Sequence, residues 1–278
     1  MRYGIILTAG DIHEIAAMAR EADDAGWDGV FYWDGMAIPG ADPIYDPWVT
    51  LAAVAMRTER VRFGAIITPP ARRRPWKLAR ETMTLDHLSG GRIVLPVGLG
   101  ALDDPGFGGV GEQTDRRIRA ELLDESLEIL TRAWSGAPFT YEGKHFQMAE
   151  MTFRPPSLQQ PRIPIWVVAI WPRPKSVARA LRYDGIMPYL AGPDGEPAAA
   201  TPDDVRAMVA AVREHKGEGE PFDIILDGTT PADDAHAARE QVRPLAEAGA
   251  TWWIESDWQN ASVASLRERI AAGPPGRG

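Results

Sequence analysis

Residues 61–100 contain the pattern that most restricts the fold. An apolar run rich in β-branched residues, 61–68, ends at a Pro-Pro pair, as expected of a buried strand. Pro75 then opens a segment in which apolar side chains recur at helical spacing. Ser-Gly-Gly at 89–91 ends that helix, and 92–97 forms a second short apolar run. A strand, helix and strand in this order predict a crossover between two parallel strands.

The same unit recurs along the chain. We predict eight strands, each followed by a helix, at residues 2–7, 28–33, 61–68, 92–97, 165–170, 185–189, 222–226 and 251–255. Residues 138–164 interrupt the series, and alternation around a Glu-Gly turn there predicts a hairpin with a Pro-rich connection. We expect a polar loop over 191–200. We also expect residues 273–278 to form a tail, because their sequence shows no pattern that indicates packing on the core. Eight units in 278 residues predict one (β/α)8 barrel domain, 1–278, with a doubly wound open sheet as the alternative.

Composition excludes several classes of protein. A formal net charge of -9 argues against binding to nucleic acid or to acidic membrane surfaces. The chain has no cysteine, which excludes disulfides and thiolate chemistry. No apolar run reaches the roughly 20 residues of a membrane span, and the first residues enter a strand instead of a signal peptide. We therefore expect a soluble, cytoplasmic protein.

In a barrel, chemistry takes place where strands end and loops begin. All five histidines fall on predicted helices or in the hairpin, so we expect no catalytic metal. Small residues at 98–101 would let a flat ligand approach the backbone, which suits a planar cofactor. Aromatic side chains also lie near the predicted mouth, although core packing is the alternative role for each of them: Trp33, Trp171, Tyr189, Trp253 and Trp258.

Three carboxylates end predicted strands. Asp34 directly follows a strand, where packing does not need a charged group. We predict Asp34 and Glu255 as catalytic residues, with Asp227 as a further candidate for proton transfer. Capping of a loop is the alternative role for each.

Two segments favour anions. Residues 171–176 open a helix with Lys175 and Ser176, which favours phosphate, although two prolines there remove N–H donors. Arg72, Arg73 and Arg74 precede another helix, where the helix dipole disfavours cations. Their predicted partners are acidic side chains such as Glu81 or Asp86, or alternatively a ligand anion.

Residues 19–34, 46–69, 72–95, 119–130 and 139–146 resemble the bacterial-luciferase-like flavin-dependent oxidoreductases. This resemblance covers nearly the whole chain. It implies a (β/α)8 barrel with an insertion after the fourth strand, and a dimer. It also implies FMN or the deazaflavin coenzyme F420 at the C-terminal mouth, used for monooxygenation or hydride transfer.

The resemblance implies which residues contact the cofactor. The ring would lie against the ends of strands two to four and the phosphate against 169–176, giving as cofactor-binding residues Asp34, Ala65, Ile66, Thr68, Gly98, Gly100, Ala169, Ile170, Trp171, Lys175 and Ser176. A non-proline cis peptide is also implied at the Ala65-Ile66 bulge. Relatives that oxidise sugar phosphates carry His after the strand-two Asp and an acid after the strand-four Gly-x-Gly. Here Gly35 and Ala101 stand at those positions, which argues against that mechanism.

We therefore predict an oxidoreductase that uses F420 or FMN on a small organic substrate, acting as a homodimer. A non-catalytic flavin-binding scaffold is the alternative, because of the missing His and acid. A hydrolase or isomerase barrel without a redox cofactor is the third hypothesis.

Overall fold

The computed structural model describes residues 1–192 and 196–276. Its strands are, in chain order, β1 (Arg2–Ile6), β2 (Gly29–Tyr32), β3 (Arg62–Ala65), β4 (Leu95–Val97), β5 (Phe139–Glu142), β6 (Gln147–Met151), β7 (Ile165–Trp171), β8 (Gly185–Ala191), β9 (Pro197–Ala198), β10 (Asp223–Gly228) and β11 (Trp252–Glu255). Its helices are α1 (Ile12–Asp24), α2 (Pro47–Arg57), α3 (Pro75–Ser89), α4 (Arg116–Trp134), α5 (Pro174–Leu181), α6 (Pro202–Lys216), α7 (Ala235–Ala248) and α8 (Val263–Ala271). Short 3-10 helices add Pro70–Arg72 and Gly108–Val110.

Eight of the strands form a parallel barrel. Their order is β3-β2-β1-β11-β10-β8-β7-β4, with parallel pairing between each pair of neighbours. Two isolated parallel bridges, Phe63 to Ile93 and Thr68 to Val97, join the end strands β3 and β4. The predicted (β/α)8 barrel is confirmed, and each strand overlaps its predicted segment, with β7, β8 and β10 ending one or two residues later than predicted.

Local sequence determines where the helices begin and end. Asp11 accepts hydrogen bonds from the first turn of α1, and Glu14 bonds back to the Asp11 backbone, which forms a capping box. Gly90 ends α3 in the left-handed conformation, with φ of 67°, where a side chain would be strained. No helix of the described residues is long and apolar enough to cross a membrane.

Side chains alternate between two cores, one inside the barrel and one between the barrel and its helices. The interior is filled by Ile6, Phe31, Ile66, Val94, Trp166, Met187, Ile225, Trp252 and Ile254. The residues between them on each strand pack outward, among them Leu226 and Trp253. This period of two decides which residues at a strand end face the mouth and which face the helices.

The segments outside the barrel repeat differ partly from expectation. Strands β5 and β6 form the predicted antiparallel hairpin. Within the loop predicted over 191–200, β9 pairs antiparallel with β8, and residues 193–195 lie outside the described part. Pro274 and Pro275 are buried, although the sequence gives the tail no packing signal. The non-proline cis peptide joins Ile66 to Ile67, one residue beyond the predicted bulge.

Candidate functional site

The carboxyl ends of β3, β4 and β7 form an apolar floor at the mouth of the barrel. Ile67 and Val168 pack on the interior core and remain partly exposed. Gly98 lies between them: a Cβ there would be 2.9 Å from Ile67 Cγ2 and 3.4 Å from Val168 Cβ. Tyr189 lies two residues before the end of β8, pairs with Ile170 of β7 and is 39% exposed. The sequence predicted Gly98 but not Ile67 or Val168, which only the barrel alternation identifies.

The strands on the other side of the mouth end in polar residues. Ser256 Oγ donates a 2.8 Å hydrogen bond to Asp227 Oδ2, and Thr8 Oγ1 donates to the Asp257 carbonyl at 2.9 Å. Asp227 opens onto the mouth, but the surrounding walls reduce its hydration and raise its pKa, against the lowering effect of the Ser256 bond. Asp227 is therefore a carboxyl group that can exchange a proton with a bound molecule.

Asp34 is held in a buried ion-pair network. Its side chain is 2% exposed and accepts hydrogen bonds from Arg72 at 3.0 Å and from Arg73 at 2.7 Å. Arg72 also pairs with Asp104 at 2.5 Å. The partners of Arg72 and Arg73 are thus carboxylates, as one alternative predicted. They are not the predicted Glu81, which pairs with Lys77, or Asp86, which bonds the backbone of residues 158–159.

Asp104 joins three loops at the mouth. Besides Arg72, its carboxylate accepts backbone N–H bonds from Met36 at 3.0 Å, from Ala37 at 3.1 Å and from Gly106 at 2.9 Å. Burial opposes ionisation, but these donors lower the pKa of Asp104. Sequence reasoning missed this residue, because it lies in an irregular loop and follows another aspartate.

Arg119 supports the same wall from α4. It donates to the carbonyls of Leu99 at 2.7 Å and Gly100 at 3.0 Å. The guanidinium groups of Arg72 and Arg119 lie 5.1 and 5.2 Å from the centre of the Phe107 ring. A Cβ on Gly100 would be 2.7 Å from that ring, so glycine permits this close packing.

Glu255 does not face the mouth. It shares the outward orientation of Trp253 on β11 and is 4% exposed. It accepts bonds from Thr230 N at 3.0 Å, Thr230 Oγ1 at 2.6 Å and Trp253 Nε1 at 2.9 Å, and pairs with Arg269 at 3.3 Å. With these partners the carboxylate acts as a structural link, and the geometry offers no support for its predicted catalytic role.

The other predicted cofactor-binding residues differ in accessibility. Ala65, Thr68 and Ala169 are fully buried, backbone included, so no atom of theirs is exposed to a ligand in this structure. Ile66 is 6% exposed and faces the interior. The remaining predicted residues, at the end of β7 and the start of α5, are partly or fully exposed: Ile170, Trp171, Lys175 and Ser176. Their roles remain predictions.

The start of α5 is a cationic helix end next to β7. No side chain caps this helix, and Arg173 and Lys175 are exposed in its first turn. Ser176 Oγ accepts a 2.9 Å hydrogen bond from the Ile170 N–H, which leaves the hydroxyl proton free to donate. The helix dipole, two cations and a hydroxyl therefore favour an anion here.

The aromatic residues near the mouth have different roles. Trp33 and Trp253 are buried in the outer core, whereas Trp258 is 52% exposed and Trp171 is partly buried. Residues 1–192 and 196–276 contain no group of three or more His, Cys, Asp or Glu side chains able to hold a metal ion.

Comparison with known proteins gives one family and many related folds. The model of the luciferase-like monooxygenase family matches residues 2–273. Among solved structures, the monooxygenase RslO1 from Streptomyces bottropensis is 21% identical with a TM-score of 0.75, covering 97% of this chain and 96% of its own. An F420-dependent secondary alcohol dehydrogenase in complex with an F420-acetone adduct is 16% identical with a TM-score of 0.77, covering 100% and 99%. The oxygenating constituent of 3,6-diketocamphane monooxygenase from Pseudomonas putida, in complex with FMN, is 19% identical with a TM-score of 0.64, covering 89% and 72%. At these identities the structures share the fold with this chain.

Proposed function

Because the chain belongs to the luciferase-like monooxygenase family, we propose that it is an oxidoreductase that binds F420 or FMN and acts on a small organic substrate by hydride transfer or monooxygenation. One observation carries this proposal: an accessible apolar floor adjoins an uncapped cationic helix start at the barrel mouth. Structural neighbours named for F420 and for FMN support the same class. When bound, such a cofactor supplies the transfer of electrons.

The residues present fit a planar group with an anionic tail. Ile67 and Val168 offer apolar contact for a flat ring, and the buried Gly98 lets these two side chains pack close together because it has no Cβ. Lys175, Arg173 and the free hydroxyl proton of Ser176 would hold the phosphate. The Ile170 to Ser176 hydrogen bond fixes the helix start against the end of β7, so ring and phosphate sites adjoin.

We assign proton transfer in this site to Asp227. It faces the mouth, has a raised pKa, and has one described side-chain donor, Ser256, so an oxygen remains for a substrate. Asp34 and Glu255 each form ion pairs with arginine side chains. The role of Asp34 in this proposal is therefore to hold Arg72 and Arg73 in the wall of the site.

The test is a binding titration of the purified protein with FMN and F420 side by side. We expect one cofactor to bind selectively and Lys175→Met to weaken it about 10-fold, from the loss of one charge-assisted hydrogen bond. Lys216→Met, at the C-terminal end of α6 and therefore near the amino end of the barrel, is the matched control. Failure of both cofactors to bind, or equal weakening by both variants, contradicts the proposal.

Turnover separates an enzyme from a binding protein. The bound cofactor is reduced chemically, and its reoxidation by dioxygen and by small carbonyl compounds is followed by absorbance. Faster reoxidation with a candidate substrate supports the oxidoreductase. A cofactor that binds tightly and does not turn over with any acceptor favours the scaffold hypothesis.

We also propose that the protein acts as a homodimer. Val49 and Met56 are each 68% exposed and lie seven residues apart on one face of α2. Two large exposed apolar side chains on one helix face favour contact with a second apolar surface.

A further inference from the structure

A second cavity lies at the opposite end of the barrel, where the strands begin. It has a volume of about 330 Å³ and is lined by Arg2, Gly26, Trp27, Asp28, Arg60, Arg62 and Trp252. Arg2, Arg62 and Trp252 are the first residues of β1, β3 and β11. Three of these seven lining residues are arginines, although the chain has a net charge of -9.

Arg62 is the cation of this cavity for which the described residues provide no partner. Its guanidinium makes no hydrogen bond or ion pair with the described residues, and it is only partly exposed. Burial, and then the neighbouring charge of Arg2, lower its pKa, while Asp223 has a smaller opposite effect. A partly buried guanidinium without an acceptor is energetically unfavourable, so this end of the barrel is well suited to an anion.

The carboxylates near this cavity already have donors. Asp28 accepts from the Tyr3 N–H at 2.9 Å. Asp223 accepts from Trp166 Nε1 at 3.2 Å and Thr251 Oγ1 at 2.9 Å, and lies 3.9 Å from Arg2. Arg60 is held by Asp23, with 3.1 Å between Nε and Oδ1. Within residues 1–192 and 196–276, no carboxylate forms an ion pair with Arg62, and Asp223 affects its charge only at longer range.

Trp252 also lines the cavity, but its indole nitrogen is buried and does not open onto it. Trp252 is fully buried, and its indole N–H has no acceptor in the part of the chain that the structure describes. The Arg2 guanidinium lies 5.5 Å from the centre of the same indole ring. The arginines thus give the cavity hydrogen-bond donors and positive charge, the two properties that oxyanion sites share.

We propose that this cavity is a binding site for a tetrahedral oxyanion such as phosphate, held by Arg62 with Arg2. The site is separate from the mouth and does not depend on the function proposed above. An anion that binds only the folded chain stabilises it, so the site links barrel stability to phosphate concentration.

The test is thermal unfolding of the full chain in phosphate or in chloride at equal ionic strength. For the wild type we expect a saturable rise in Tm, of about 5 °C at 100-fold excess over Kd. Arg62→Met should abolish this rise, and in phosphate-free buffer it should raise Tm by about 2 °C because it removes an unmatched charge. Arg57→Met, which changes an exposed arginine in the last turn of α2, should retain the wild-type response.

A further variant separates this site from the predicted cofactor phosphate site. Lys175→Met should keep the full response to phosphate. If Lys175→Met loses the response while Arg62→Met keeps it, or if the wild type does not respond, the proposal is overturned. Should Arg62→Met not fold, Arg62→Lys provides the same test, because lysine cannot make the bidentate contact and should weaken phosphate binding about 5-fold. Unchanged affinity in Arg62→Lys would then overturn it.

Discussion

At the scale of single residues, hydration and partners decide what each carboxylate of this barrel can do. Asp227 and Glu255 both end strands, but successive residues of a strand face opposite sides. Asp227 faces the mouth with the Ser256 hydroxyl as donor, whereas Glu255 faces the helices and bonds Thr230, Trp253 and Arg269. Of these two carboxylates, Asp227 is the one that keeps an oxygen available to hydrogen-bond the proposed ligand.

Replacing Asp227 by Asn should slow turnover about 10²- to 10⁴-fold, the usual contribution of a general acid or base. Cofactor affinity should change little, because the floor and the α5 start remain intact. Stopped-flow reoxidation and a binding titration measure the two quantities. Thr229→Val, which changes an exposed side chain next on the same loop, is the control. Full activity in Asp227→Asn would exclude this role.

The raised pKa of Asp227 also predicts how stability depends on pH. The folded state binds the Asp227 proton more tightly than the unfolded chain, so stability falls as pH rises from about 4 through the raised value. Asp227→Asn should therefore be more stable than the wild type at pH 7, and this advantage should disappear below pH about 4. Urea unfolding at both pH values measures the difference. If Asp227→Asn were more stable than the wild type by the same amount at both pH values, the raised pKa of Asp227 would be contradicted.

Glu255→Gln should destabilise the fold by about 3 kcal/mol, because Arg269 would keep a buried charge without its counterion. Cofactor affinity should stay the same, since Glu255 does not reach the mouth. Glu268→Gln, an exposed change on the same helix as Arg269, should shift stability by less than about 0.5 kcal/mol. Wild-type stability with lost turnover in Glu255→Gln would restore the catalytic prediction.

At the scale of elements, buried ion pairs fix the loops that carry the site. Asp104 follows β4, yet it bonds the backbone of the loop after β2 and pairs with Arg72 in the 3-10 helix after β3. Asp34 closes the network by bonding Arg72 and Arg73. Three loops from three consecutive barrel strands are thereby held as one wall.

Removing the Asp104 charge should release that wall. Asp104→Asn should destabilise the protein by about 3 kcal/mol, since Arg72 loses one buried partner. It should also speed chymotrypsin cleavage at Tyr45, Leu102 and Phe107, which lie in the loops. Asp103→Asn, an exposed neighbour, should be cut at the wild-type rate. Equal cleavage rates in both variants would show that the wall does not depend on Asp104.

The elements themselves could be predicted from the sequence, because burial on both faces of a parallel strand leaves continuous apolar runs such as 92–97. The ion pairs could not be predicted. Asp34 and Arg72 are 38 residues apart, and Asp104 is 32 residues beyond Arg72, so no local pattern links them. The sequence showed that the arginines need anions, but the partners depend on how barrel closure brings the loops together.

At the scale of the whole molecule, the two ends of the barrel differ in chemistry. The carboxyl end exposes apolar Ile67 and Val168 beside a cationic helix start, while the amino end has arginines around a polar cavity. The sequence predicts a ligand site at the first end, because a (β/α)8 barrel carries its active site where the strands finish. It gave no sign of the second, since Arg2 and Arg62 become neighbours only when β1, β2 and β3 pair.

The proposed homodimer provides the last prediction. If α2 forms the contact, Met56→Glu should raise the dimer dissociation constant more than about 10-fold, because a buried contact would have to accept an unpaired charge. Sedimentation velocity over a range of protein concentrations measures this constant. Met151→Glu, at a residue 45% exposed on hairpin strand β6, should leave it unchanged. A monomeric wild type contradicts the dimer itself, whereas a dimer that is weakened only by Met151→Glu places the contact on the insertion.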